Sequence, residues 1–112
     1  MEVSATAKNI GISPKKLRPL VAAVRGRPVE EALNLLQVLP TPAAGEVAKA
    51  IRSAAANAEN NLTLDRGSLR VVAISANPGL KLRRMMPHPR GRAGLVLKRH
   101  SHITVTVSDE ED

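Results

Sequence analysis

The chain contains no cysteine, tryptophan, tyrosine or phenylalanine among its 112 residues. Without thiols it builds neither a disulfide framework nor a thiolate zinc site, which fits a reducing cytoplasm. Without aromatic rings it is no RNA-recognition module or cold-shock barrel, since those stack bases on aromatic platforms. Hydrophobic runs are short, and none approaches the roughly 20 residues needed to span a bilayer. The start, Met1-Glu2-Val3-Ser4-Ala5-Thr6-Ala7-Lys8, lacks the basic and apolar regions of a secretion signal. Acidic side chains are missing from most of the second half: residues 66–108 hold nine basic residues and not one Asp or Glu.

Positive charge is what the chain has in excess. Lys and Arg total 17 against 10 Asp and Glu, a net charge of +7. Four of those acids are Asp109-Glu110-Glu111-Asp112, so the remainder sets 17 basic side chains against 6 acidic ones, or +11. A field of that size recruits polyanions, nucleic acid first and an anionic membrane second. The length is that of one domain, and a chain this short removes only roughly 60 to 68% of its surface from water. The expected organisation is a single globular domain over residues 1–112, with an extended basic β-hairpin at about 80–97 and a short acidic tail at 108–112.

Periodicity assigns the elements. Val3, Ala5 and Ala7 alternate with Ser4, Thr6 and Lys8, the period of a half-buried strand. Ser13-Pro14 is a cap-plus-proline helix start, with Ser13 expected to cap the free amides. Leu17, Leu20, Val21 and Val24 follow at helical spacing, and Gly26 offers a left-handed stop. Pro19 falls inside this helix and should bend it, at a cost of about 3 kcal/mol in an ordinary interior. A second helix is predicted from Val29 to Leu39, ended by Pro40, with Glu30 and Glu31 in its first turn, where the helix dipole favours anions. Thr41-Pro42 starts a third helix, predicted to reach Asn61, with Val47, Ile51, Ala54, Ala55, Ala58 and Leu62 inward. Its buried stripe is mostly alanine, which permits close approach and places it centrally against the sheet.

Beyond the turn Asp65-Arg66-Gly67-Ser68, two extended segments are predicted, 69–86 and 92–107, joined by Pro87-His88-Pro89-Arg90-Gly91 into an antiparallel hairpin. With three strands and three helices, the fold class is α+β: three helices packed on a small three-stranded antiparallel sheet, with a long projecting hairpin. Its outer arms, 80–97, should reach about 30 Å at 3.3 Å per residue. They carry Lys81, Arg83, Arg84, Arg90, Arg92, Lys98 and Arg99, so neither face is continuously apolar. An isolated two-stranded ribbon is marginal in water, and this one is expected to order against a polyanion.

Other constellations are poor. Ser13-Pro14-Lys15-Lys16 has the serine and lysine spacing of penicillin-binding enzymes without their partner motifs. Glu30 and Glu31 point about 100° apart on a helix and make no acid/base pair. The spacing His100-Ser101-His102 puts two imidazoles on one strand face with no third ligand nearby, so contact with phosphate or ribose, or plain solvent exposure, is a better reading than metal. No nucleophile, base and orienting group come together, and no enzyme, metal or cofactor is expected. Two helices, a third helix and a hairpin also make the element order of a winged-helix DNA-binding protein. A cationic membrane-active protein is the other rival, weakened by the lack of a basic helix with a wide apolar face.

Ser13-Pro14-Lys15-Lys16-Leu17-Arg18, Val24-Arg25-Gly26, Val29-Glu30-Glu31-Ala32-Leu33, Ser53-Ala54-Ala55-Ala56-Asn57-Ala58-Glu59-Asn60-Asn61, Arg90-Gly91-Arg92-Ala93 and Ser101-His102-Ile103-Thr104-Val105 run in order along nearly the whole chain. In these motifs the sequence resembles the bacterial family of ribosomal large-subunit protein twenty-two. The resemblance implies a structural, non-enzymatic protein of the cytoplasmic ribosome that binds large-subunit ribosomal RNA early in assembly. Its partners would be that RNA, neighbouring large-subunit ribosomal proteins and the nascent peptide, with no membrane and no homo-oligomer. Expected RNA contacts are Lys15, Lys16, Arg18, Arg25, Lys81, Arg83, Arg84, Arg90, Arg92, Lys98, Arg99, His100 and His102. The positions matching the family's hairpin tip, which lines the peptide exit tunnel, are Met85, Met86, Pro87, His88, Pro89, Arg90 and Gly91, flanked by Arg83, Arg84 and Arg92. Two stretches depart from the family's usual wording. Ala76-Asn77-Pro78-Gly79 stands where an acidic residue and Gly-Pro are usual, and His88-Pro89 where Arg-Ala is usual.

Overall fold

The computed structural model describes residues 2–87 and 93–109, giving the backbone alone for Asn9 and for strand residues between 80 and 99. In chain order the elements are β1 (Glu2–Ile10), α1 (Pro14–Val24), α2 (Val29–Gln37), α3 (Pro42–Leu62), a short 3-10 turn (Arg66–Ser68), β2 (Arg70–Pro87) and β3 (Ala93–Ser108). The strands form one antiparallel sheet in the order β1-β3-β2. The α+β architecture read from the sequence is the one observed.

Register explains which side chains meet. Val3, Val107 and Val71 form one row across the sheet, Ala5, Val105 and Ile74 a second, and Ala7, Ile103 and Ala76 a third. These rows face the helices, and their β3 members are wholly buried. The intervening residues face the other way and, Ala73 apart, are polar: Ser4 and Thr106, directly paired, share a hydroxyl hydrogen bond of 2.9 Å. A register shift between Val71 and Ala73 turns Val72 outward.

Helix α3 packs on β1 and β3 and also touches α1 and α2, the central position expected of its alanine stripe. Ala44, Ala54, Ala55 and Ala58 are at most 1% exposed. Thr41 caps the helix, its Oγ1 accepting from the Ala44 amide at 3.3 Å. The helix ends one residue later than expected. Thr63 closes it in the left-handed conformation (φ 53°), sending its amide to the Ala58 carbonyl, and this turn leaves Leu62 partly exposed instead of inward.

Ser13 does not cap α1 with its side chain; its backbone carbonyl instead accepts from the Lys16 amide at 3.1 Å, closing a tight first turn. Helix α2 stops at Gln37 rather than Leu39, because a residue preceding proline avoids the helical region and Val38 becomes the cap. Gly26 adopts φ 81° after α1, as its position predicts. The turn it makes then docks on β2: the Gly26 amide donates to Val71 at 2.7 Å, Val71 donates to Arg27 at 2.9 Å, and Val29 donates to Leu69 at 3.0 Å. These bonds cover the start of an otherwise open sheet edge.

Pro19 lies within α1 without ending it, and both Pro19 and Lys15, whose carbonyl loses its usual donor, face solvent. A carbonyl exposed in this way is open to solvent, so the missing bond costs less than it would in a buried helix. Pro19→Ala is therefore expected to stabilise the chain by about 1 to 3 kcal/mol, raising Tm by roughly 5 °C or more. Thermal unfolding followed by far-UV circular dichroism checks this.

Strand β1 pairs with β3 only as far as Ile10↔Ser101, whereas β2 and β3 remain paired from Lys81↔Arg99 to Pro87↔Ala93. Those seven pairs form a two-stranded ribbon of roughly 20 Å. The turn residues 88–92, expected at its tip, lie outside the described residues. The ribbon makes the molecule long: its extents are 60 × 26 × 21 Å, and its radius of gyration is 17.0 Å. A compact chain of this length would have about 13 Å. Strand β3 runs through Ser108, which is 2% exposed and paired with Glu2 and Arg70, so that residue belongs to the sheet and not to the acidic end.

Candidate nucleic-acid interface

Basic side chains fall into those already engaged within the protein and those left available. Arg27 donates from Nε to the Ala23 carbonyl at 2.7 Å and pairs with Glu31. Arg70 donates to the Gly26 carbonyl at 3.0 Å. Arg66 Nε lies 3.0 Å from a Glu59 oxygen, an ion pair without hydrogen-bond alignment. None of these three belongs to the expected interface. Arg25 does, yet its Nη2 donates to the Ile74 carbonyl at 2.9 Å, bracing the end of α1 on β2. Lys15, Lys16 and Arg18 are exposed on α1 and make no ion pair with any described residue. Lys15 and Arg18, three apart, share one face of the helix.

Further basic positions of the expected interface lie along the ribbon. Its register sets Lys81 opposite Arg99, Leu82 opposite Lys98, Arg83 opposite Leu97 and Arg84 opposite Val96. Like charges placed directly across an antiparallel pair are destabilising, and residues 66–108 offer no carboxylate to offset them. Farther out, Met85 pairs with Leu95 and Met86 with Gly94. Of the other expected contacts and tip positions, Pro87 pairs with Ala93, while His88, Pro89, Arg90, Gly91 and Arg92 lie outside the described residues.

The two histidines flank Ser101, which is fully buried and donates its hydroxyl to the Ile12 carbonyl. They meet different neighbours. His102 stands over Gly79 of β2, where a Cβ would lie 2.9 Å from the imidazole Cε1, so only glycine accepts the ring there without adjustment. This close approach sits at the second register shift of β2, between Pro78 and Lys81, within the stretch that departs from the family's usual wording. His100 instead lines a cleft of about 940 Å³ that also takes in Lys16 and the first turns of α1 and α3. No group of three His, Cys, Asp or Glu suited to a metal occurs among the described residues.

That cleft is the feature sequence reading missed. Ile12, Leu20, Pro42 and His100 come from four separate segments, and only the fold brings them together. The one hint is the repeated Ser-Pro and Thr-Pro helix start, since both starts open on it.

Residues 5–108 match the family described as Ribosomal protein L22p/L17e. The chain belongs to that family. Curated relatives cover it from end to end. The large ribosomal subunit protein uL22 of Desulforamulus reducens is 48% identical over 112 residues, all of this chain and 99% of the relative. Its namesake in Pelotomaculum thermopropionicum matches equally, at 48% over 112 residues and the same coverage. That of Dehalococcoides mccartyi is 48% identical over 109 residues, 97% of this chain and all of the relative.

Family membership makes this a ribosomal protein of the large subunit and not an enzyme. It also replaces the winged-helix alternative, for which the fold supplies a physical objection. Helix α3, the candidate reader of a DNA groove, buries nine side chains between the sheet and the other helices. Among the described residues no helix is long and apolar enough to cross a membrane.

Proposed function

We propose that this chain is a structural constituent of the cytoplasmic large ribosomal subunit that binds large-subunit ribosomal RNA, aids its assembly, and lines the nascent-peptide exit tunnel with its hairpin. The observation that carries the reading is the placement of Lys81 opposite Arg99 at the root of a ribbon with no acidic residue. A strand pair built this way gains by lying among phosphates. Lys15, Lys16, Arg18 and Arg25 on the body, Lys81, Arg83, Arg84, Arg90, Arg92, Lys98 and Arg99 on the hairpin, and His100 and His102 between them, meet the RNA. Cationic side chains neutralise phosphates, releasing counterions, while recognition of RNA shape and 2′-hydroxyls supplies specificity. Met85, Met86, Pro87, His88, Pro89, Arg90 and Gly91 form the tip facing the nascent peptide. Neighbouring large-subunit proteins complete the surroundings.

Sedimentation of a tagged copy through a sucrose gradient tests this. Co-migration with the large subunit that survives a high-salt wash is the expected result. A peak at the top of the gradient, or release by modest salt, would exclude a built-in component.

A further inference from the structure

The cleft beside His100 has a chemistry of its own. Ile12, Pro19, Leu20 and Pro42 give it apolar walls, Lys16 is its charged residue, and no carboxylate lines it. His100, half-buried, is its π-bearing ring, in a chain whose three histidines are its sole side chains of that kind. The cleft is partly open and of about 940 Å³, within the size range of small-ligand sites. The walls are set in place by internal bonds: Ser101 holds the Ile12 carbonyl, Ser13 holds the Lys16 amide, and Thr41 holds Ala44.

Pro19 strengthens the case. It is exposed, and it occupies a helix position where alanine would be more stable. Its ring helps to wall the cleft. A ring that costs helix stability while walling a cleft fits a surface shaped for contact.

We infer that this cleft seats one unpaired nucleotide of the ribosomal RNA, with its base against the His100 ring and the apolar wall of Pro19 and Leu20, and its phosphate on Lys16. The inference rests on the RNA-binding reading above and adds a place where a base, rather than the backbone alone, is held. Splayed, unstacked bases are what proteins grip in folded RNA, and histidine is among the rings that stack on them. The positive ends of α1 and α3 add to the potential that favours the phosphate.

Two measurements test it on the full chain. In methyl-resolved NMR, millimolar nucleoside monophosphates should move the Ile12 and Leu20 methyl signals upfield through the ring current of a seated base. Inorganic phosphate should leave those methyls in place. Absence of the shift, or an equal shift with phosphate, overturns the inference. In binding to large-subunit ribosomal RNA, His100→Ala and Pro19→Ala are each expected to weaken affinity roughly ten-fold, the loss of one stacked base, with the salt slope unchanged. Lys16→Ala should instead lower that slope by about one. Because Pro19→Ala raises Tm, its loss of affinity cannot come from unfolding. Unchanged affinity in both His100→Ala and Pro19→Ala overturns the cleft while leaving RNA binding intact. Failure of the unaltered chain to bind the RNA overturns the broader reading, and this inference with it.

Discussion

Alanine in place of Arg84, Arg90 and Arg92 together is expected to weaken binding to large-subunit ribosomal RNA about a hundred-fold at physiological salt and to flatten its salt dependence. Each phosphate contact contributes about 0.7 to 0.9 to the slope of log K against log salt, so losing three lowers the slope by about 2 to 3. The expectation starts from a region without internal compensation, since residues 66–108 carry nine basic side chains and no acidic one. Strand pairing then brings charge together, with Arg84 three register steps beyond the Lys81↔Arg99 pair. Filter binding at several salt concentrations gives both quantities. An unchanged slope would mean that the hairpin does not meet phosphate. The same triple substitution should leave Tm within about 1 °C or raise it, because removing positive charges from a region that holds no acidic residue lowers its self-repulsion.

Ala55→Leu is expected to destabilise the fold by about 2 to 3 kcal/mol, the cost of forcing methylenes into a filled site, lowering Tm by roughly 10 °C or more. Ala55 has no exposed surface and sits on the helix that touches β1, β3, α1 and α2. A leucine there has no gap to enter, so α3 would have to lift from its neighbours. Arg52→Ala, on the exposed side of the same helix, is the matched comparison and should change stability by no more than about 0.5 kcal/mol. If the two variants melt alike, the alanine stripe is not a tight contact.

Sequence reading works here where one local rule decides. The alternation of Ile103, Val105 and Val107 makes β3, the alanines make α3 central, and Gly26 takes the positive φ that its place after α1 requires. It falls short where several rules compete for the same atoms. Ser13 has a hydroxyl suited to capping, but its carbonyl closes the first turn. Thr63 carries a branched side chain that disfavours the left-handed region, and it nevertheless ends α3 there because Ala58 accepts the bonds from Thr63 and Leu64. The two register shifts in β2 leave no mark in the hydrophobic pattern strong enough to place them. The interface divides in the same way. Charge composition points to the ribbon directly, while the use of Arg25 on Ile74 and the assembly of the His100 cleft depend on contacts between residues far apart in sequence.

The pairing of Glu2 with Ser108 has a consequence for the order in which the molecule forms. Among the described residues the first strand pairs with the last, because β3 lies between β1 and β2. During synthesis the three helices emerge long before that partner exists, so β1 must wait unpaired while they gather. Closing so wide a loop is slow relative to helix formation. The helical layer and its alanine face are thus completed by a strand that also forms half of the ribbon. Whatever delays the ribbon's second arm delays the closing of the body's sheet as well, which couples maturation of the core to the segment that reaches farthest from it.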